Sequence, residues 1–302
     1  MKHIFIVNPT SGGGKPATLI PVIHDYFKEK KESYEIILTE RNGHATDLTR
    51  RYSIKDDVTL YVVGGDGTVF EVLNGLNDSV PMAIIPAGTG NDAFRMLGLE
   101  PMDIKDVLIQ TIEGKYVKVD YGLANDQRFI NCSTMGMDAD VGEFAERIGK
   151  KLPIPRTLVY IISAMFIVFK PKTIDLEIDL GDKKIFQKSL LVAVMNGRWY
   201  GGGFQPAPMA SIQDGKLDVC MVSDASLLRI FQLLPMYFKG THVGVKEATF
   251  LQADSFTLST GGRVVQVGFD GENSKQSKIV FKLMKLALTL KVPKSSTLRE
   301  DV

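Results

Sequence analysis

The chain has 302 residues, long for one core and comfortable for two domains. Hydrophobic residues make up 44% and charged residues 24%, with a formal net charge of +1, which excludes a disordered chain and argues against any nucleic-acid partner. Cys132 and Cys220 are the only cysteines, His is sparse with no metal-ligand spacing, and the chain starts on strand-like residues rather than a signal-peptide pattern, so a cytoplasmic protein is expected.

Strand-like residues 4–7 lead into Ser11-Gly12-Gly13-Gly14-Lys15, after which Leu19, Ile20, Ile23 and Phe27 recur at helical spacing. Residues 35–38 read as a second strand, 45–52 as a short helix and 58–63 as a third strand. That strand runs into Gly64-Gly65-Asp66-Gly67-Thr68, and Val69, Val72, Leu73 and Leu76 then mark one face of a helix. A fourth strand at 82–85 leads into Pro86-Ala87-Gly88-Thr89-Gly90-Asn91-Asp92 and another helix start. Strands alternating with helices predict a doubly wound, mostly parallel sheet, with ligands beyond the carboxyl ends of its strands.

After about residue 114 the texture becomes β-rich. Short strands are expected at 117–123, 129–133, 173–180, 190–195, 217–222, 250–258, 264–269 and 278–283, with helices near 140–148, 158–169 and 227–238. The fold class is therefore α/β: an N-terminal doubly wound domain followed by a β-sandwich-like second domain, with a cleft between them. The expected divisions are residues 1–115, residues 116–293, whose last strand could return to the first domain, and a loose tail at 294–302.

Glycines let a backbone approach an anion closely, and a helix start offers unpaired N–H groups and a positive dipole end, so 64–68 reads as a phosphate site. A bare carboxylate there would repel phosphate, so Asp66 makes sense with a divalent cation, or a hydroxyl to be activated, between them. Residues 11–15 resemble a Walker loop without matching it, because Pro9 and Pro16 stand where that pattern needs Gly and Ser or Thr. Lys15 can still place one positive charge near phosphates, against the simpler reading of a flexible surface loop. Asn91 or Asp92 can be a helix cap, a ligand contact or both. In the second half, Gly201-Gly202-Gly203-Phe204 precedes Asp214-Gly215-Lys216-Leu217-Asp218, which alone reads as a turn before a strand. Asp270-Gly271-Glu272 reads either as a hairpin turn joining 264–269 to 278–283, or as an acid pair.

Together these motifs resemble the diacylglycerol kinase catalytic family, specifically its soluble bacterial lipid kinases, which are similar to sphingosine and ceramide kinases and distantly to NAD kinases. The resemblance runs from about residue 2 to 293 and is carried by Val7-Asn8-Pro9 with 11–15, by 64–68 with Glu71-Val72-Leu73-Asn74-Gly75, by Gly88-Thr89-Gly90-Asn91-Asp92, by 201–204 with Asp214-Gly215, and by Asp270-Gly271-Glu272. It implies an ATP-binding first lobe, a β-sandwich lipid lobe and an active site between them. Nucleotide contacts are then expected at Asn8, Lys15, Thr39, Gly64, Gly65, Asp66, Gly67, Thr68, Glu71, Gly88, Thr89 and Asn91. Asp270 matches the family's general base and Asp214 a metal-binding carboxylate, with the carbonyls of Ser211 and Lys216 beside it. The family position matching Lys216 is often apolar, which a main-chain ligand tolerates. The family also usually has Phe soon after the Asn-Asp pair, where Ala93 precedes Phe94 here.

The expected reaction is transfer of the γ-phosphate of Mg2+-ATP to a lipid hydroxyl, diacylglycerol giving phosphatidic acid. Asp270 or Asp66 would take the proton, Glu272 would orient a partner, and Lys15, Asp66 and Glu71 would set phosphate and metal positions. The alternatives are a soluble-substrate kinase of the NAD kinase type and a non-catalytic lipid-binding regulator. A lipid acceptor requires transient contact with a membrane surface, so the protein is expected to be peripherally membrane-associated. Two stretches suit that contact. One is 158–169, too short to span a bilayer, which takes about 20 residues, and flanked by Lys150, Lys151, Arg156, Lys170 and Lys172; the other is Leu227–Lys239. An exposed sheet edge in the second lobe could support a homodimer.

Overall fold

A computed structural model describes residues 1–137, 144, 159, 163 and 172–300. The expected helices at 140–148 and 158–169, and all their basic flanks except Lys172, lie outside the described residues or, at 144, 159 and 163, are described singly. The chain divides into two compact units, Met1–Asp120 with Lys285–Val302, and Tyr121–Met284.

In the first unit β1 (Lys2–Val7), β2 (Ser33–Leu38), β3 (Val58–Gly64) and β4 (Met82–Pro86) alternate with α1 (Ile20–Phe27), α2 (His44–Thr49), α3 (Asp66–Gly75), α4 (Asp92–Arg95) and α5 (Ile104–Ile112). β1 pairs in parallel with β2 and β3, and β3 with β4, as the alternation of strand and helix requires. β3 is buried along its whole length, the pattern of a strand covered on both faces, and Phe5, Val7, Tyr61, Val63, Ala83 and Ile85 pack against Leu19, Ile23 and Phe27 of the first helical segment. α5 is absent from the sequence expectations, although Val107, Leu108, Thr111 and Ile112 bury one face and Asp103 caps its start by accepting from the Lys105 N–H.

β5 (Lys115–Ala124) and β15 (Lys278–Val292) each have residues in both units, and between them the second unit contains β6 (Gln127–Phe129), β7 (Cys132–Gly136), β8 (Ile174–Asp179), β9 (Lys184–Met195), β10 (Leu217–Ser223), α6 (Leu227–Lys239), β11 (Ala248–Ala253), β12 (Ser255–Ser259), β13 (Val265–Phe269) and β14 (Glu272–Gln276). β9 is the organiser: residues 184–189 pair with β8, whereas 191–195 pair with β7 and with β10. A core of Met195, Ala193, Cys220, Phe204, Ile230 and Tyr237 lies under α6.

Four expectations change. The single strand at 129–133 is two, because the N–H groups of Ile130, Asn131 and Cys132 are taken by a carboxylate instead of by a strand partner. The strand at 250–258 breaks at Asp254, whose carbonyl accepts from the Leu283 N–H. The last strand is longer than the expected 278–283, running to Val292, with Leu290 in parallel register with Met82. The tail is tied down: the Ser296 hydroxyl donates to Leu97 O at 2.7 Å and Thr297 N–H donates to the same carbonyl.

Candidate active site

In the first unit the loops after β1, β3 and β4 interlock. Asn8 donates from Nδ2 to the Thr68 hydroxyl (3.0 Å) and accepts at Oδ1 from the Thr10 backbone N–H and hydroxyl, tying the first loop to the start of α3. Gly12 sits in the left-handed region (φ +54°), where a Cβ would run into the Ala87 carbonyl. Gly65 and Gly88 face each other so closely that a Cβ on Gly65 would lie 3.1 Å from Gly88 Cα. Asn91, itself left-handed (φ +54°), accepts from the Gly88 N–H (2.9 Å) and returns a bond to Gly88 O (3.1 Å), closing the third turn.

Asp66 opens α3, and its Oδ1 accepts the Ala93 N–H (3.2 Å) in the first turn of α4. Burial pushes its carboxyl above the usual carboxylate range, opposed by the backbone N–H groups of Ala93, Asn91 and Asp92. The acid is thus lodged where the second and third glycine turns meet. Lys15 and Thr89 stand exposed on the first and third loops.

Glu71 has a different setting from that expected of a phosphate or metal residue. Its Oε1 accepts the Gly43 N–H (2.9 Å) and its Oε2 the Ala45 N–H (3.0 Å), while its carbonyl accepts the Thr46 hydroxyl (2.8 Å). It therefore fastens α3 to the N-terminus of α2. Thr39, whose N–H bonds Val7 O, stands at the other end of the same β2–α2 loop.

In the second unit Asp270 and Gly271 are the two central residues of the β13–β14 hairpin, both at positive φ (+46° and +97°), the combination a type I′ turn needs. The hairpin joins β13 to Glu272–Gln276, not to 278–283 as the sequence suggested, because 272–276 form β14. Glu272 is exposed on the first residue of that strand. The Asp270 carboxylate is buried and accepts three backbone N–H groups: Ile130 at 2.6 Å on Oδ2, and Asn131 at 3.0 Å and Cys132 at 2.8 Å on Oδ1. Asn196, which sequence reasoning missed, holds the same segment from the other side by donating to Ile130 O at 2.7 Å. No local motif marks these partners, because they are main-chain groups brought in by β7.

Asp214 is exposed in the turn before β10 and accepts the Lys216 N–H (3.1 Å), with Gly215 left-handed (φ +74°) between them. Among the described residues no three His, Cys, Asp or Glu side chains gather as a metal site. The turn instead offers one carboxylate and main-chain carbonyls, an all-oxygen set that suits a hydrated hard cation such as Mg2+.

Residues 2–124 match the diacylglycerol kinase catalytic domain, and residues 131–292 match the YegS C-terminal NAD kinase beta sandwich-like domain. The diacylglycerol kinase of Staphylococcus saprophyticus is 30% identical, over 88% of this chain and 87% of that protein. The diacylglycerol kinase of Staphylococcus carnosus is 29% identical, over 96% of this chain and 94% of its own length. A crystal structure of a candidate diacylglycerol kinase from Bacillus anthracis shares the fold with a TM-score of 0.79 at 26% identity, over 98% of both chains. These matches cover both units and agree with the order of the glycine turns: the chain belongs to the diacylglycerol kinase catalytic family of lipid kinases, phosphotransferases that use ATP.

Proposed function

We propose that this chain transfers the γ-phosphate of ATP to the primary hydroxyl of diacylglycerol in a membrane, giving phosphatidic acid. The observation that carries this reading is the lodging of Asp66 at the junction of two glycine turns that touch through Gly65 and Gly88. Such turns leave no room for side chains between a phosphate and the backbone, and the helix starts behind them bring N–H groups and positive dipole ends.

The unit of residues 1–120 with 285–302 takes the nucleotide, on the turns that contain Gly64–Thr68 and Gly88–Asn91, with Lys15 supplying a mobile cation to the phosphates. Phosphoryl transfer has a loose transition state, so alignment and charge neutralisation matter more than a strong base. Asp270 is assigned the proton of the acceptor hydroxyl, with Glu272 as the acid that orients a partner. An acid so firmly held by three N–H groups keeps its position while accepting only a late-leaving proton. Asp66 is the competing base. Asp214, with the carbonyls of Ser211 and Lys216, would hold Mg2+ in the second unit; when bound, the ion neutralises charge and rigidifies that turn. The protein works from the cytoplasm by transient contact with the membrane.

The test is phosphorylation of a lipid panel with labelled ATP and Mg2+, with NAD included as a soluble acceptor. Diacylglycerol is expected to be the best acceptor. Label in NAD, or in another lipid with none in diacylglycerol, overturns the substrate assignment.

A further inference from the structure

The helix α6 (Leu227–Lys239) carries more apolar surface than its core uses. Ile230, Leu233 and Tyr237 are buried. At about 100° per residue they fill a narrow arc, Phe231 and Leu234 pack partly buried against the same core, and the exposed Leu227, Phe238, Pro235 and Leu228 fill a second, outward sector roughly 100° wide. Leu228 is 72% exposed, Leu227 39% and Phe238 37%. A surface helix of ordinary kind presents charged residues there. The flanking loops extend the same surface. Met209 (76% exposed) lies in a loop that is bound to the C-terminal turn by the Gln205 N–H on Tyr237 O and by the Phe204 ring 5.0 Å from Phe238, and Val243 (54% exposed) follows the helix.

The charges around this surface are lopsided. The helix itself has no acid, only Arg229 and Lys239. Glu247, 5% exposed, is faced by Arg229 (2.9 and 3.0 Å) and by Lys246 (3.9 Å), so two cations share one buried carboxylate. Lys239 is exposed at the far end, and Asp224 is the exposed acid at the near end. A symmetric pair of copies would bring cation towards cation.

We propose that the outer face of α6, with Met209 and Val243 beside it, is the surface by which this chain docks on an anionic lipid bilayer. This rests on the lipid-acceptor reading above: the hydroxyl to be phosphorylated lies at the level of the head groups, and apolar side chains that enter a few ångströms while lysines meet anionic head groups give reversible attachment.

Sedimentation with vesicles of phosphatidylcholine and phosphatidylglycerol tests it. Leu228→Ser with Met209→Ser, both at well-exposed positions, is expected to lower vesicle affinity at least about tenfold. Lys239→Ala and Lys246→Ala are each expected to lower it about fivefold and to flatten its salt dependence. Turnover of a short-chain diacylglycerol, kept below its aggregation concentration, should stay within about twofold of the parent in every variant, which also shows that the variants fold. Vesicle affinity that survives both sets of substitutions overturns the proposal. So does a fall in oligomer mass by light scattering with vesicle affinity unchanged, which would make a second copy the occupant. Loss of vesicle binding in a protein that phosphorylates no diacylglycerol in any form supports the docking surface and sinks the substrate assignment instead.

Discussion

Gly88→Ala isolates the contact between the two glycine turns, because Gly88 is not in the left-handed region and alanine adds volume without a backbone penalty. The added methyl would fall 2.9 Å from Asn91 Oδ1 and 3.1 Å from Gly65 N, with Gly65 Cα nearer still, whereas ordinary contacts begin near 3.4 Å. The neighbours are a backbone and a side chain fixed by two hydrogen bonds to Gly88 itself, so no flexible group can yield. The turns must therefore part by about 1 Å, an overpacking that costs roughly 1–3 kcal/mol. At roughly 3–4 °C per kcal/mol for a unit of this size, that is a fall in melting temperature of about 3–12 °C. A displacement of about 1 Å in groups that position a phosphate costs on the order of a hundredfold in rate. Steady-state kinetics with varied ATP should show kcat/KM reduced by that order. Gly181→Ala is the control: its φ of +89° strains alanine, but nothing lies within 4 Å, so it should cost about 1 kcal/mol and leave kinetics unchanged. A Gly88→Ala protein with kcat/KM for ATP within about threefold of the parent would refute the idea that these turns grip the nucleotide.

Three further outcomes are expected. Because burial raises the Asp66 carboxyl, the folded state holds that proton more tightly than the unfolded chain, so the group favours folding below the ordinary carboxylate range and costs stability as pH rises through its raised range. Asp66→Asn keeps an acceptor for Ala93 and removes the buried charge; it should melt higher than the parent near neutral pH, converge with it in acid, and lose phosphorylating activity, and a variant that melts lower at every pH contradicts this. Asp270→Asn sets an amide NH2 among three backbone donors, so it should cost about 1–3 kcal/mol by thermal melting as well as slowing turnover. Full turnover in Asp270→Asn beside none in Asp66→Asn would transfer the role of base to Asp66. Glu71→Gln turns one acceptor into a donor facing the Gly43 or Ala45 N–H, so KM for ATP should rise about tenfold with kcat within about threefold and the Mg2+ midpoint unmoved; a moved midpoint would make Glu71 a metal residue after all.

The doubly wound half was legible because its signals are local. β3 contains the apolar run of residues 60–63, and each glycine turn stands directly between a strand and a helix, so sequence order alone places residues 64–68 and 88–92 at strand ends. The second half was less legible because its breaks are set from a distance. Residues 129–133 have strand composition throughout, yet the Asp270 carboxylate, about 140 positions away, captures the N–H groups of 130–132 and divides the run. The same bonds explain why Asp270-Gly271-Glu272 admitted two readings. The pair Asp270-Gly271 does form the tight turn, and the turn is what aims the carboxylate at β7. Glu71 shows the converse. Its place in a glycine-rich motif suggested a ligand contact, and the sequence leaves unmarked the two main-chain donors at the N-terminus of α2, Gly43 and Ala45, that each bond one of its oxygens.

A carboxylate's type and motif thus limit its chemistry, while its work depends on which backbone donors the fold presents to it. Asp66 and Asp270 are both acids in turns next to strands, yet one is lodged at a helix start with its proton held more tightly than usual, and the other is clamped by the beginning of a strand. If the reaction needs one acid that changes its proton and one that holds a position, these settings favour Asp66 for the first role and Asp270 for the second. The kinetics of the two asparagine variants, read together with their melting curves, decide between that division and the base assignment given to Asp270. A purely positional Asp270 predicts that its activity loss and its stability loss scale together across Asn, Ser and Ala substitutions, whereas a proton acceptor predicts an equal loss of activity in all three regardless of how far each one melts.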